Sequence, residues 1–83
     1  MPPTILRYGR MRVLIYTNEH RPAHVHVWEG QRQAVFNLNC PRGPIELREN
    51  FRFSRPEVNR VARLLQTHVH RLCAAWKAVH GNY

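Results

Sequence analysis

Acidic side chains are scarce in this sequence. Aspartate is absent, and five glutamates stand against 13 lysines and arginines, which gives a formal net charge of +8 with neutral histidines. This balance favours an anionic partner, either RNA or an acidic protein, although net charge carries no information about the fold. The alternative interpretation is that the charge only keeps the surface well solvated.

Long apolar runs are also missing. No run of roughly 18 apolar residues occurs, and Arg7, Arg10 and Arg12 interrupt the first apolar segment, which argues against a membrane span or a signal peptide. The two cysteines, Cys40 in a proline-rich turn and Cys73 in a helical pattern, form no CxxC motif. We therefore expect both cysteines to be reduced, a cytoplasmic location and no membrane partner.

The hydrophobic pattern predicts one α+β domain over residues 1–83, a length that suits a single core. Within residues 4–50, β-branched and aromatic residues alternate with polar ones between glycine and proline turns, which is typical of strands. Their short connections allow only antiparallel pairing. The prediction is a small antiparallel sheet of about four strands, packed against one long C-terminal helix.

That helix is predicted over residues 54–80, where apolar residues recur every three or four positions. Ser54 and Glu57 have the form of a capping box, and Gly81 is a typical helix stop. One uninterrupted helix would measure about 40 Å, against roughly 30 Å expected for the domain. Its last turns should therefore overhang and either fray or pack on another chain, and the second outcome is a homodimer.

The segment "PAHVHV", Pro22 to Val27, places two histidines one residue apart. On a strand, His24 and His26 share one face and the two valines share the other, which is the candidate core face. The histidines should then face outward, as ordinary strand residues or as a site. Glu19, His20 and Arg21 in the preceding loop favour a site.

A second "HVH" occurs at His68 to His70, inside the predicted helix. At 100° per residue these two histidines lie roughly 200° apart, so they cannot bind one ligand together. His68 borders the apolar stripe and His70 joins the charged side. A solvated charged surface is the expected role of this second pair.

Several segments together resemble a bacterial domain-of-unknown-function family, number four-one-six-zero. They are "MPPTI", "NEHRPAHVHV", "EGQRQAVFNL", "IELREN" and "AAWKAVHG", and the likeness covers residues 2–81. Its most specific features are Pro22, His24 and His26, with Trp76 as a second landmark, while Ala23 replaces a second proline that family members usually carry. The resemblance implies a compact α+β domain associated with toxin and antitoxin pairs, and it implies no established reaction.

The favoured function is a toxin-and-antitoxin-type domain that binds nucleic acid. Arginine side chains would hold RNA phosphates, and the predicted set is Arg7, Arg10, Arg12 and Arg21. A metal-independent ribonuclease would use His24 and His26 as general base and acid, since imidazole titrates near neutral pH. Glu19 and Arg21 would complete that catalytic site, Arg21 as a cation at the transition state.

Two further functions stay open. In a metal-binding domain, His24 and His26 would be ligands, with Glu19 or His20 as the third. Because the sequence fixes no third ligand, we expect no cofactor and no metal. In a non-catalytic interaction module, the basic surface would only pair with an acidic, antitoxin-like protein.

Overall fold

The structure, a computed structural model, describes residues 4–83, and residues 1–3, where the predicted domain and the resemblance begin, lie outside it. Its five strands are β1 (Thr4–Tyr8), β2 (Met11–Leu14), β3 (His24–Glu29), β4 (Arg32–Asn37) and β5 (Glu46–Phe51). Two helices follow, α1 (Arg55–Thr67) and α2 (Val69–His80). The predicted α+β class is confirmed, but the sheet has five strands rather than about four.

The sheet is an antiparallel meander in which each strand pairs with the next in sequence, in the order β1-β2-β3-β4-β5. Side chains alternate between its two sides, so Val13 pairs with Val27 on one face and Leu14 pairs with His26 on the other. The face that carries the valines is called the helix face, and the other is called the open face. This alternation puts His24 and His26 on the open face, as predicted.

The hydrophobic core lies between the helix face and the two helices. Val25 and Val27 are fully buried there against Leu65, Leu72 and Trp76, which are also fully buried. This confirms that the apolar stripe of the C-terminal third covers the valine face. Burial of one such side chain contributes about 1.5–3 kcal/mol, so this face accounts for much of the folding free energy.

The prediction of one helix over 54–80 is wrong, because the helix breaks at His68, whose φ of −110° and ψ of 19° are not helical. No glycine or proline marks this break. The His68 amide donates to the Leu65 carbonyl, and the Thr67 hydroxyl donates to the Arg63 carbonyl, a bond that bends helices. Tyr8 also contacts His68 from β1, with 3.1 Å between its hydroxyl and the ring Nε2.

The break changes the predicted shape. The domain measures 33 × 27 × 20 Å, which accommodates two helices of 13 and 12 residues more easily than one straight helix of about 40 Å. The overhang that led us to expect a homodimer therefore does not occur. The homodimer itself stays a prediction.

The predicted ends of the helical region are confirmed. Ser54 and Glu57 form a reciprocal capping box at the start of α1, and Gly81 ends α2 with a left-handed φ of 81°. The Glu57 carboxylate also accepts a hydrogen bond from Arg32. The first turn of α1 is thereby tied to the start of β4.

The prediction that both cysteines are reduced is wrong. Cys40 and Cys73 form a disulfide with their Cα atoms 5.7 Å apart, although 33 positions separate them in sequence. The fold brings the turn after β4 onto the buried side of α2, and sequence spacing gives no sign of that approach. The expected cytoplasmic location followed from the lack of a signal peptide and of a long apolar run, and it stays a prediction. Among the described residues, no helix has the length and apolarity needed to cross a membrane.

Candidate functional site

The structure brings the four predicted catalytic residues into one surface pocket of about 330 Å³. The loop of residues 15–23, called the covering loop, connects β2 to β3 and supplies Glu19 and Arg21, while β3 supplies His24 and His26. The rest of the pocket wall is formed by Asn18, His20, Val35, Arg48 and Glu49. The sequence motif and its preceding loop thus form a single site on the open face.

One carboxylate oxygen binds both histidines. Glu19 Oε1 lies 3.0 Å from His24 Nε2 and 2.5 Å from His26 Nε2. Glu19, His24 and His26 are called the Glu–His cluster, and their ligand atoms all lie within 4.8 Å of one another. The described residues contain no other group of three or more such side chains, so His20, although in the pocket wall, stays outside the cluster.

The contacts of the Nδ1 atoms, which point away from Glu19, indicate which nitrogen of each histidine ring carries a proton. His24 Nδ1 lies 2.8 Å from the Pro22 carbonyl, which can only accept, so this nitrogen carries a proton. His26 Nδ1 lies 3.4 Å from the amide nitrogen of Gln33. With Gln33 as donor, His26 accepts at Nδ1 and donates from Nε2 to Glu19.

The environment of Glu19 has opposing effects on its ionisation. Burial raises the pKa of the carboxyl, but hydrogen bonds from His26 and His24, together with the positive charge each ring carries when protonated, lower it by more, so the net pKa is below the ordinary value. Glu19 is consequently a carboxylate at neutral pH. It places one negative charge in a strongly basic protein.

His24 is far less accessible than the sequence suggested. It points to the open face as expected, yet only 4% of its surface is exposed, against 13% for the His26 side chain. Trp76 of α2 packs against the His24 ring at 5.1 Å, and His80 stacks on Trp76 at 3.9 Å. The prediction that both histidines face solvent is therefore wrong for His24, because the covering loop and α2 enclose it.

The predicted arginines divide into three places. Arg7 and Arg12 are exposed and lie directly opposite each other on β1 and β2. Arg10 lies at the β1–β2 turn, in a separate pocket with Arg32 and Arg52. Arg21 lies in the pocket of the Glu–His cluster. The structure therefore does not gather the four into one patch.

Arg7 and Arg12 belong to a continuous row that crosses all five strands of the open face. Successive cross-strand partners define it, and its members are Arg7, Arg12, Trp28, Gln33 and Phe51. We call it the transverse row. Trp28 is held in place by a hydrogen bond from its indole N–H to the Tyr16 hydroxyl at 3.2 Å. Phe51, at the end of the row, is 53% exposed.

Sequence reasoning missed several neighbours of the cluster. Gln33 could have been found from the alternation of β4 once its register against β3 was known. Arg48 could not, because a register shift between Val35 and Phe36 changes the pairing of β5. Tyr16, whose ring meets His26 edge-on at 4.4 Å, follows β2 and carries no distinguishing signal.

The second "HVH" takes no part in this site. His68 is half-buried at the break between the helices and contacts Tyr8, whereas His70 is exposed on α2. The prediction that the two do not act together agrees with these positions.

Comparison with known proteins identifies a family. A family model described as "Domain of unknown function (DUF4160)" matches residues 11–77. No curated protein and no solved structure matches the chain. The matched span runs from the first residue of β2 into α2 and includes the entire Glu–His cluster. The chain therefore belongs to the DUF4160 family, as the resemblance predicted.

Proposed function

We propose that this domain binds single-stranded RNA on the open face of its sheet and cleaves it at the Glu–His cluster, as the toxin-type member of a toxin–antitoxin pair. The observation that carries the proposal is the transverse row, which places cationic and aromatic side chains beside the cluster. A sheet face of this composition suits unpaired nucleotides, whose bases are free to stack.

Each member of the transverse row offers a contact that RNA can use. The guanidinium groups of Arg7 and Arg12 can hold phosphates, and both side chains are exposed. Trp28 and Phe51 can stack on bases, and the Gln33 amide between them can hydrogen-bond a base edge. The row therefore provides affinity with little dependence on base sequence.

The cluster lies directly beside the row. His26 is two residues from Trp28 on β3, a separation of about 7 Å along a strand, and Gln33 reaches its ring. Arg21 and Arg48 line the same pocket and can hold the phosphate to be cleaved. Without a metal ion, His26 would exchange protons with the substrate, and the enclosed His24 would hold Glu19 in place. With a metal ion, both histidines would be ligands of that ion. In both cases the reaction requires His26.

An acidic, antitoxin-like protein is the proposed partner that controls this activity. The exposed side of α1 carries Arg55, Arg60 and Arg63, on the opposite side of the molecule from the transverse row. A partner with a negative surface would meet complementary charge there. Such a partner would not have to compete with RNA for the open face.

The test is binding and cleavage of a labelled single-stranded RNA by the parent protein and by His26→Ala. We expect the parent to bind and cleave, and we expect His26→Ala to lower the cleavage rate by about 100-fold or more, since positioned proton transfer is typically worth that factor. RNA affinity should change little. His70→Ala, which removes an exposed histidine outside the site, should cleave like the parent.

Two results would contradict the proposal. If the parent binds an acidic partner protein and no RNA, the domain is an interaction module. If RNA binds but His26→Ala cleaves at the parental rate, the cluster is not the place of reaction.

A further inference from the structure

We propose that Glu19, His24 and His26 bind one divalent transition-metal ion of the zinc class. The inference concerns the cluster used in the proposed function, and it can be tested without RNA. The sequence favoured a metal-free site because no third ligand was fixed. The structure supplies that ligand in Glu19, which contacts both histidines.

The first observation is the orientation of His24. Its Nδ1–H donates to the Pro22 carbonyl at 2.8 Å, so a neutral ring presents the lone pair of Nε2 toward Glu19. Metal-binding histidines typically have this arrangement, in which a backbone carbonyl or carboxylate fixes the ring from behind. That lone pair is directed at Glu19 Oε1, 3.0 Å away, and the ring itself is almost fully buried.

Gln33 provides the corresponding support for His26. In the structure, the Gln33 amide nitrogen faces His26 Nδ1 and can donate to it. This arrangement leaves the proton of His26 on Nε2, as expected when no metal is bound. A half-turn of the amide would present its oxygen instead, which could accept from Nδ1–H and leave Nε2 free to bind the ion. Gln33 thus acts as a positioning residue in either state.

The distances from Glu19 Oε1 to the two histidine nitrogens are close to those expected around one small ion. Metal–ligand bonds of about 2.0–2.1 Å in a tetrahedral site place ligand atoms roughly 3.3 Å apart. The contacts of 3.0 and 2.5 Å to Glu19 Oε1 are slightly shorter, so the carboxylate would have to move by less than about 1 Å. Two imidazoles with one carboxylate favour zinc, cobalt or nickel over magnesium or calcium.

Three protein ligands leave a fourth position for water or a phosphate oxygen. Arg21 and Arg48 line the same pocket and would favour an anion there. Asn37, the cross-strand partner of His24, has a buried side-chain oxygen with no hydrogen-bond partner among the described residues. A buried polar atom without a partner is unusual, and this one belongs to the residue paired with His24 across the strands.

The test uses protein that carries no histidine tag and keeps its Cys40–Cys73 disulfide. Chelator first removes any bound metal. The protein is then titrated with Zn²⁺, followed by calorimetry, and with Co²⁺, followed by visible absorption. We expect one ion per chain and the intense absorption of four-coordinate Co²⁺. Loss of a supporting residue typically lowers metal affinity 10–100-fold, so loss of a ligand in His26→Gln or Glu19→Gln should lower it by more than about 100-fold. Gln33→Leu should fall in the smaller range, and His70→Gln should bind like the parent.

Circular dichroism of each variant in chelator separates lost folding from lost binding, and Glu19→Gln, at a partly exposed loop position, is the variant expected to fold most readily. Absence of a bound ion in the parent, or unchanged affinity in a folded Glu19→Gln, would overturn the metal site. RNA affinity measured in chelator reports on the proposed function independently. RNA binding without metal binding would leave the proposed function standing with a metal-free cluster.

Discussion

The two faces of the sheet differ in composition although the same five strands form both. The helix face carries valine, alanine and phenylalanine side chains that are fully buried against α1 and α2. The open face carries arginines, aromatic residues and the Glu–His cluster, and the covering loop with part of α2 covers the end near His24. Strand alternation thus separates residues that hold the fold from residues that can meet a ligand. Substitutions on the helix face should therefore lower the unfolding free energy, and substitutions on the open face should mainly lower RNA affinity.

The largest effect on stability is expected at Leu65. It is fully buried between α1 and the helix face, so Leu65→Ala should cost about 2–5 kcal/mol of unfolding free energy through lost burial and the cavity left behind. Urea denaturation followed by circular dichroism measures this cost. RNA affinity of the folded fraction should be unchanged. A variant as stable as the parent would show that the apolar stripe does not hold the helices to the sheet.

On the open face, Trp28→Ala should show the reverse behaviour. Loss of one stacked base typically costs about 1–3 kcal/mol, so RNA affinity should fall by that amount while stability falls less than in Leu65→Ala. Fluorescence anisotropy with a labelled single strand measures the affinity. Tyr8→Ala removes an exposed aromatic residue from the helix side of the sheet and serves as the control. Equal losses of affinity in both variants would contradict the assignment of the open face.

The smallest effect concerns the scaffold around α1 at low pH. Hydrogen bonds from the Ser54 backbone and side chain, with the charge of Arg32, hold the pKa of Glu57 below its usual 4.5. A lowered folded-state pKa contributes stability above 4.5, and that contribution is lost as pH falls through the folded value. Glu57→Gln should therefore be less stable than the parent at about pH 6, with the difference shrinking by about pH 3. Thermal unfolding at both values measures it, and a constant difference would argue against this role.

Much of the scaffold was predictable because local chemistry determines it. Strand alternation, the Ser54–Glu57 capping box and the stop at Gly81 each depend on residues close together in sequence, and all appear in the structure. The break at His68 has no glycine or proline to mark it, and His68 contacts Tyr8 of the first strand there. Likewise, the Cys40–Cys73 disulfide requires the turn after β4 to pack against α2. Contacts between residues so far apart in sequence cannot be predicted from the local pattern of residues.

The candidate site shows the same division. The spacing of His24 and His26, with Glu19 shortly before them, was enough to nominate the cluster residues, and the structure brings them together. The burial of His24 under Trp76 and the support of His26 by Gln33 require the positions of α2 and β4. The sequence therefore suggested which residues form the cluster. The chemistry of the cluster also depends on the contacts that Trp76 and Gln33 make with the two histidines, and only the fold reveals these.

The most direct test of the open face as an RNA-binding surface is the salt dependence of RNA affinity in two matched double variants. Each phosphate contact to a single strand contributes about 0.7 to the slope of log affinity against log salt, so Arg7→Gln with Arg12→Gln should lower the slope by about 1.4. Arg60→Gln with Arg63→Gln removes the same charge from α1 and should leave the slope near that of the parent. Affinity that is flat with salt in the parent, or equal slopes in the two double variants, would contradict the account.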